Sequence, residues 1–167
     1  MRLFILIVNG LSIACGVIAA CLIGASILIV CQMVLWRYVL VASTTWQTDF
    51  VTFALVGATI VGAPYVLREG GHVKVDLVTG AVTPAVRRVL LVISYVTVML
   101  MSAVFAWKGG VLTAEAWHGS WVTETVAELP LWVPYSALPV GFTLLGLQAL
   151  ADMLVQLGGD GAEAGRT

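Results

Sequence analysis

The sequence predicts an all-α integral membrane protein with four transmembrane helices and one short interfacial helix. No Asp, Glu, Lys, Arg or His occurs in four long stretches, residues 3–36, 50–67, 89–107 and 129–151. A helix needs roughly 20 mainly apolar residues to cross a hydrocarbon core of ~30 Å. The 167 residues are 60% hydrophobic and only 10% charged, unlike any soluble domain. We therefore expect one membrane domain over residues 1–167.

The first apolar stretch is predicted to be an uncleaved span rather than a signal sequence. Arg2, the apolar run behind it and Ala20-Cys21 superficially match a secretory or lipoprotein signal. Apolarity continues to Leu35, however, whereas a mature secreted chain turns polar after its cleavage site. The three cysteines all lie in this stretch, where we expect them to pack as small apolar residues.

Aromatic and charged residues mark the ends of the predicted spans, which cover about residues 6–35, 46–67, 86–107 and 131–154. Four tryptophans are expected to anchor the helices at the membrane–water interface: Trp36, Trp46, Trp107 and Trp132. Arg37 follows the first span. Asp49 lies at the entrance of the second, where the positive end of a helix favours a carboxylate. Gly109-Gly110 are expected to end the third helix.

The distribution of Lys and Arg predicts that both termini are cytoplasmic, because cationic loops favour the cytoplasmic side. That side is expected to carry six cations: Arg2, Arg68, Lys74, Arg87, Arg88 and Arg166. The other side is expected to carry only Arg37 and Lys108. The segment 109–129 then lies outside, and its carboxylates are Glu115, Glu124 and Glu128.

Residues 70–84, between the second and third spans, are predicted to form an interfacial arm helix. In a helix, Val73 and Leu77 share an apolar face and Lys74 lies away from it, as in an element that lies in the interface plane. The alternation from His72 to Leu77 also suits a strand. A lone strand beside a membrane has no pairing edge, so we favour the helix.

Small residues spaced four apart indicate where helices approach closely in lipid. They occur in spans one, two and four: Ala20 with Gly24, Ala54 with Ala58 and Gly62, and Ala137 with Gly141. Two interpretations stay open for each face. The face packs the four helices against one another, or it docks a second protein.

The spans lack the residues that transport, catalysis or cofactor binding would require. No charged residue lies near a span centre, which argues against a proton-coupled exporter. His72 and His118 are predicted on opposite sides of the membrane, so they are not a haem-ligand pair. No nucleophile motif, phosphate loop or basic cluster for nucleic acid occurs. We expect a subunit of a larger assembly that is not an enzyme and has no cofactor or metal of its own.

Ordered short motifs run through about residues 30–150. They are Arg37-Tyr38, Trp46 with Asp49, Gly57-Ala58, Arg68, the run Gly71-His72-Val73-Lys74-Val75-Asp76, Leu129-Pro130-Leu131-Trp132 and Leu138-Pro139-Val140-Gly141-Phe142. In this order and at these spacings, the chain resembles the small membrane subunit (DctQ-like) of tripartite ATP-independent periplasmic (TRAP) transporters. The arginine and the His-Val-x-Val-Asp run are the most specific part of the resemblance.

The resemblance implies a subunit of a bacterial or archaeal uptake system for organic acids, in the inner membrane. A periplasmic binding protein would capture the substrate, and a large many-span permease would carry it by an elevator-like motion driven by sodium. The small subunit would pack against the permease as a fixed scaffold, and sodium and substrate would bind to the partner. The family usually has a glutamate, often in an acidic pair, where this chain has Asp49 after Gln47 and Thr48.

The roles that follow are hypotheses. Four residues are expected to place the arm at the cytoplasmic interface: Arg68, His72, Lys74 and Asp76. Arg68 and Lys74 are also expected to attract anionic lipid headgroups. Three are expected to meet the binding protein: Glu115, Glu124 and Glu128. The residues themselves leave open an alternative, a membrane anchor or assembly subunit of an unrelated complex such as a respiratory enzyme or a tricarboxylate transporter.

Overall fold

Long helices make up nearly all of the computed structural model, which describes residues 2–40, 44–69, 84–125 and 128–157. Within these residues the helices are α1 (Arg2–Leu35), α2 (Thr45–Arg68), α3 (Pro84–His118) and α4 (Trp132–Leu157). A π-helical segment, Trp36–Leu40, continues α1. All four helices are long and apolar enough to cross a membrane. The predicted all-α, four-span class is confirmed.

The predicted end of the third span is wrong. Helix α3 passes through Gly109-Gly110 and ends at His118, so residues 109–118 are helical rather than part of a loop. The reason is tertiary packing against α4. A Cβ atom on Gly109 would lie 2.7 Å from Cβ of Leu138 and 3.3 Å from Cδ of Pro139. This close contact outweighs the helix propensity cost of about 1 kcal/mol for glycine.

The predicted arm lies mostly outside the described residues, as do His72, Lys74 and Asp76 within it. Its predicted last residue, Pro84, is instead the first residue of α3. Proline is favoured there because an N–H group in the first turn has no intrahelical acceptor, so its absence costs no hydrogen bond. The helix α3 thus begins two residues earlier than the predicted third span.

The helices pack in the order α1, α2, α4, α3, and α1 also touches α4 over a shorter stretch. We call the end at which α2 and α4 begin the loop end. Helix α3 packs mainly along α4, so much of its apolar surface remains open. Only 11% of the apolar window of α3 is buried, compared with 22% in α2 and in α4. Such open apolar faces require lipid or a second protein to cover them.

The small-residue faces of α1 and α2 differ in whether they pack inside the bundle or point outward. In α2, Ala54 and Ala58 are buried, and a Cβ on Gly62 would lie 3.1 Å from Cβ of Ala19 in α1. This face packs the bundle internally. In α1, Gly24 is exposed and has no atom within 4 Å of the position of a Cβ, so its face points outward.

Two residues of the Pro139 motif, Pro139 and Gly141, pack the fourth helix against its two neighbours. Pro139 packs on Gly109 of α3, whereas Gly141 packs on α2. A Cβ on Gly141 would lie 2.6 Å from Cγ2 and 2.7 Å from the backbone oxygen of Ile60. The motif therefore joins α4 to both neighbours.

Candidate functional site

Polar side chains gather in two places, one at the loop end and one near the opposite end. At the loop end, residues 121–125 and 128–131 form what we call the loop hairpin. Val122 and Pro130 form an antiparallel bridge. The Thr123 amide donates to the Leu129 carbonyl at 3.0 Å, and the Leu131 amide donates to the Trp121 carbonyl at 2.9 Å. These backbone bonds close the hairpin between α3 and α4.

Asp49 ties the loop hairpin to α2. The Thr125 hydroxyl donates to Oδ2 of Asp49 at 2.5 Å, and the Thr123 and Thr125 hydroxyls share a hydrogen bond of 2.9 Å. The Leu129 amide donates to the Thr123 hydroxyl at 3.0 Å. The expected role of Asp49 at the helix terminus is not supported, because the first turn of α2 contains no acidic residue. The carboxylate instead accepts a bond from the hairpin.

Gln47, two residues before Asp49, lies in the first turn of α2 and is fully buried. Neither its amide oxygen nor its amide nitrogen has a hydrogen-bond partner in the part of the chain that the structure describes. Gln47 and Thr48 precede Asp49, where the resemblance implies a glutamate that is often in an acidic pair. The side chain is enclosed by the bundle, so it offers no surface to a second protein.

The three outer glutamates are solvent-exposed around this hairpin. Glu115 lies in the last turn of α3, Glu124 in the hairpin turn, and Glu128 in the return segment. Glu128 adopts a φ of 43°, an uncommon left-handed conformation for a residue with a side chain. Between residues 109 and 131 the sequence contains no Lys or Arg. Arg37 is exposed at the same end, and Asp49 with the three glutamates outnumbers it, so the loop end is acidic on balance.

Two tryptophans join α3 to α4 beside the hairpin. The rings of Trp117 and Trp132 meet edge to face, with centroids 4.7 Å apart and an interplanar angle of 76°. Trp132 is half-buried by this contact, so it has a packing role in addition to the predicted anchoring. Trp46 and Arg37 are exposed at the same end, consistent with the predicted positions at the interface.

The second polar cluster was not predicted from the sequence. Gln148 is fully buried in α4 and accepts a 2.6 Å bond from the Ser12 hydroxyl of α1. Its amide nitrogen donates to Asn9 at 3.1 Å and to Asp152 at 2.8 Å. The signal was present in the sequence, because Asn9 with Ser12 and Gln148 with Asp152 have helical spacing.

This cluster joins α1 to α4 and includes the carboxylate of Asp152, which lies near the end of the candidate span Trp132–Gln156. Arg68 ends α2 at the same end of the bundle. Arg68 also pairs with its neighbour Glu69, at 3.1 Å. Among the described residues, no group of three or more His, Cys, Asp or Glu side chains has the arrangement of a metal site. The cluster holds α1 against α4 through side-chain hydrogen bonds.

Comparison with known proteins agrees with the motifs. A family model described as "Tripartite ATP-independent periplasmic transporters, DctQ component" matches residues 26–159. The chain belongs to this family. The resemblance stated from the motifs is therefore confirmed, and the family is one of transporter subunits rather than enzymes, as predicted. No solved structure matches the chain.

Curated relatives of the DctQ-family chain include three permease proteins. The C4-dicarboxylate TRAP transporter small permease protein DctQ of Rhodobacter capsulatus is 27% identical over 100 residues, covering 60% of this chain and 44% of the relative. The protein of the same description from Vibrio cholerae is 22% identical, covering 76% and 64%. The isethionate TRAP transporter permease protein DctMQ of Oleidesulfovibrio alaskensis is 22% identical, covering 80% and 22%. The chain thus spans less than two thirds of each relative.

Proposed function

We propose that this DctQ-family chain is the small membrane subunit of a sodium-driven, binding-protein-dependent transporter for organic acids, mainly carboxylates. It scaffolds the large permease in the inner membrane. Two relatives are described as C4-dicarboxylate permeases and one as an isethionate permease, so small organic anions are the substrate class. The substrate and sodium bind to the large subunit rather than to this chain.

The observation that carries this proposal is the open packing of α3. A helix with 11% of its apolar window buried is poorly covered by its own chain, as expected of a subunit that completes its packing in an assembly. The DctMQ relative supports a large partner, because this chain accounts for only 22% of that polypeptide. A polypeptide of that length has room for a further permease part.

The orientation that we propose has both termini in the cytoplasm and the loop end in the periplasm. The basis is the cation bias of the sequence. In this orientation Arg68, at the end of α2, lies at the cytoplasmic interface next to the predicted arm. The acidic loop hairpin then faces the compartment in which a soluble binding protein would arrive.

The first experiment is the purification of the tagged chain from its native membranes in mild detergent. We expect a stoichiometric partner of many spans. Reconstituted with the binding protein and a sodium gradient, the two membrane proteins should accumulate an organic acid, and omission of this chain should abolish uptake. Recovery of a redox enzyme, or of the chain alone as a functional homo-oligomer, would contradict the proposal.

A second prediction concerns docking of the binding protein. Replacing Glu115, Glu124 and Glu128 together by glutamine should slow uptake several-fold at low binding-protein concentration, because complementary charge accelerates encounter. The difference should shrink at high salt, since exposed charges are screened beyond about 10 Å at 0.1 M. Glu69→Gln, an exposed change at the opposite end, is the matched control. Equal uptake and equal salt dependence in all variants would exclude a docking role for the glutamates.

A further inference from the structure

One groove on the bundle surface is apolar and is closed at its inner end. It encloses about 450 Å³ between α1, α2 and α4. Its lining includes Phe50, Phe53, Gly57, Val133, Pro134 and Ala137. A Cβ on Gly57 would meet no atom within 4 Å, so the space beside this residue is open.

The groove reaches from the loop end to Val61, about two thirds of the way along α2. Along α2 its lining runs from Phe50 to Val61, which is about 16 Å at a helical rise of about 1.5 Å per residue. That is roughly half of a hydrocarbon core of ~30 Å. The helices close around Val61, because the preceding Ile60 meets Gly141 and the following Gly62 meets Ala19. The groove is therefore about as long as one leaflet is thick.

This shape distinguishes between two possible occupants. A transmembrane helix of a second protein spans the whole bilayer, so its docking surface would continue past the tight contacts at Gly62 and Gly141. An acyl chain ends near the bilayer centre. The length and the closed inner end of the groove match an acyl chain.

Charge at the open end indicates the headgroup. Asp49 precedes the groove residue Phe50 in the chain, and Glu128 precedes the groove residue Leu129. Arg37 is exposed at the same end, but four carboxylates outnumber it there: Asp49, Glu115, Glu124 and Glu128. An anionic headgroup would be repelled here, whereas an ammonium group would be attracted.

We propose that the groove is a binding site for one phospholipid with an amine headgroup, of the phosphatidylethanolamine type, from the leaflet at the loop end. The acyl chain lies over Gly57 between Phe53 and Val133. The ammonium group lies near Asp49 and Glu128. The lipid fills the space between α1, α2 and α4 on the side where the bundle is open. The proposal does not depend on which substrate is transported.

The test uses the complex purified from native membranes and exchanged into nanodiscs of equal phosphatidylethanolamine and phosphatidylglycerol. Native mass spectrometry should find one retained phosphatidylethanolamine. Gly57→Leu fills the groove and should lower retention roughly tenfold or more, the factor expected when even two buried methylene groups lose their site. Gly24→Leu, an equivalent change on the outward face of α1, should retain the lipid.

A second measurement needs no variant. A phosphatidylethanolamine with a photoreactive group on its acyl chain should label the peptides that contain Phe53 and Val133. Absence of a retained lipid, or labelling elsewhere only, would overturn the proposal. So would unchanged retention in Gly57→Leu. If Gly57→Leu releases the large permease while the lipid stays, the groove is a protein interface and the lipid site is rejected.

Discussion

Replacing Gly141 with leucine is expected to separate α4 from α2 and to destabilise the bundle more than any other single change on this face. A Cβ at this position would lie 2.6 Å from Cγ2 of Ile60, 2.7 Å from its backbone oxygen and 3.0 Å from its carbonyl carbon. A side chain can rotate away, but the backbone of α2 cannot. Overpacking of this kind costs typically 1–3 kcal/mol and occasionally more.

The measurement is thermal unfolding in a mild detergent, together with the monodisperse fraction after size-exclusion chromatography. Gly141→Leu should lower both. Gly24→Leu is the matched control because no atom lies within 4 Å of its Cβ position. Leucine is a better helix former than glycine by up to about 1 kcal/mol, so the control should be as stable as the parent protein or more stable. Equal losses in the two variants would show that α4 does not contact α2 through Gly141.

The spans were predictable because the bilayer restricts the chain to very few solutions. A stretch without charges for about 20 residues must be helical and must cross, since no water satisfies its backbone groups. For this reason the four helices and their class followed from composition alone. Helix ends are different, because they depend on contacts with other elements. Gly109 is a helix breaker by propensity, yet α3 continues there since α4 packs against its bare backbone.

The contacts between helices could be predicted only in part. Ala58 and Gly24 lie on similar small-residue faces, and only the structure separates the inner face from the outer one. The sequence did not pair Gln148 with Ser12 and Asn9 because these partners in α1 are more than 130 positions away. The rotational register of α1 against α4 brings them together, and one sequence does not determine that register.

The loop hairpin could not be predicted either. Asp49 is separated from Thr125 by 76 positions, and its bond exists only because the hairpin folds back over the start of α2. Composition identified an acidic segment outside the spans but not its shape. The resemblance to the TRAP small subunit singled out the acidic position without giving its partner. The structure shows that this partner is a hydroxyl of the same chain.

Thr125→Val is expected to release the loop hairpin from α2 while leaving the helices intact. Valine has the shape of threonine but cannot donate to Asp49, so the carboxylate loses its 2.5 Å bond. Hydrogen bonds to charged groups contribute about 1.5–3 kcal/mol. At 1.4 kcal/mol per tenfold, local opening of the hairpin should become roughly 10- to 150-fold more frequent.

Hydrogen exchange measures this directly, because the Thr123, Leu129 and Leu131 amides are protected by the bonds that close the hairpin. Their exchange should accelerate in Thr125→Val and equally in Asp49→Ala. Thr113→Val is the matched control, since the Thr113 hydroxyl bonds only to the Gly109 carbonyl within α3. It makes the same chemical change without affecting the bond between Thr125 and Asp49.

The same variants separate the structural role of the bond between Thr125 and Asp49 from the proposed role of the loop hairpin in docking. If the loop hairpin receives the binding protein, Thr125→Val should reduce uptake while the yield of the complex with the large permease stays constant. The reason is that a mobile hairpin must be ordered before it binds, and each ordered residue costs about 1–2 kcal/mol of backbone entropy. Faster exchange with undiminished uptake would leave Asp49 as a purely structural residue. Unchanged exchange would show that the bond to Thr125 does not hold the hairpin.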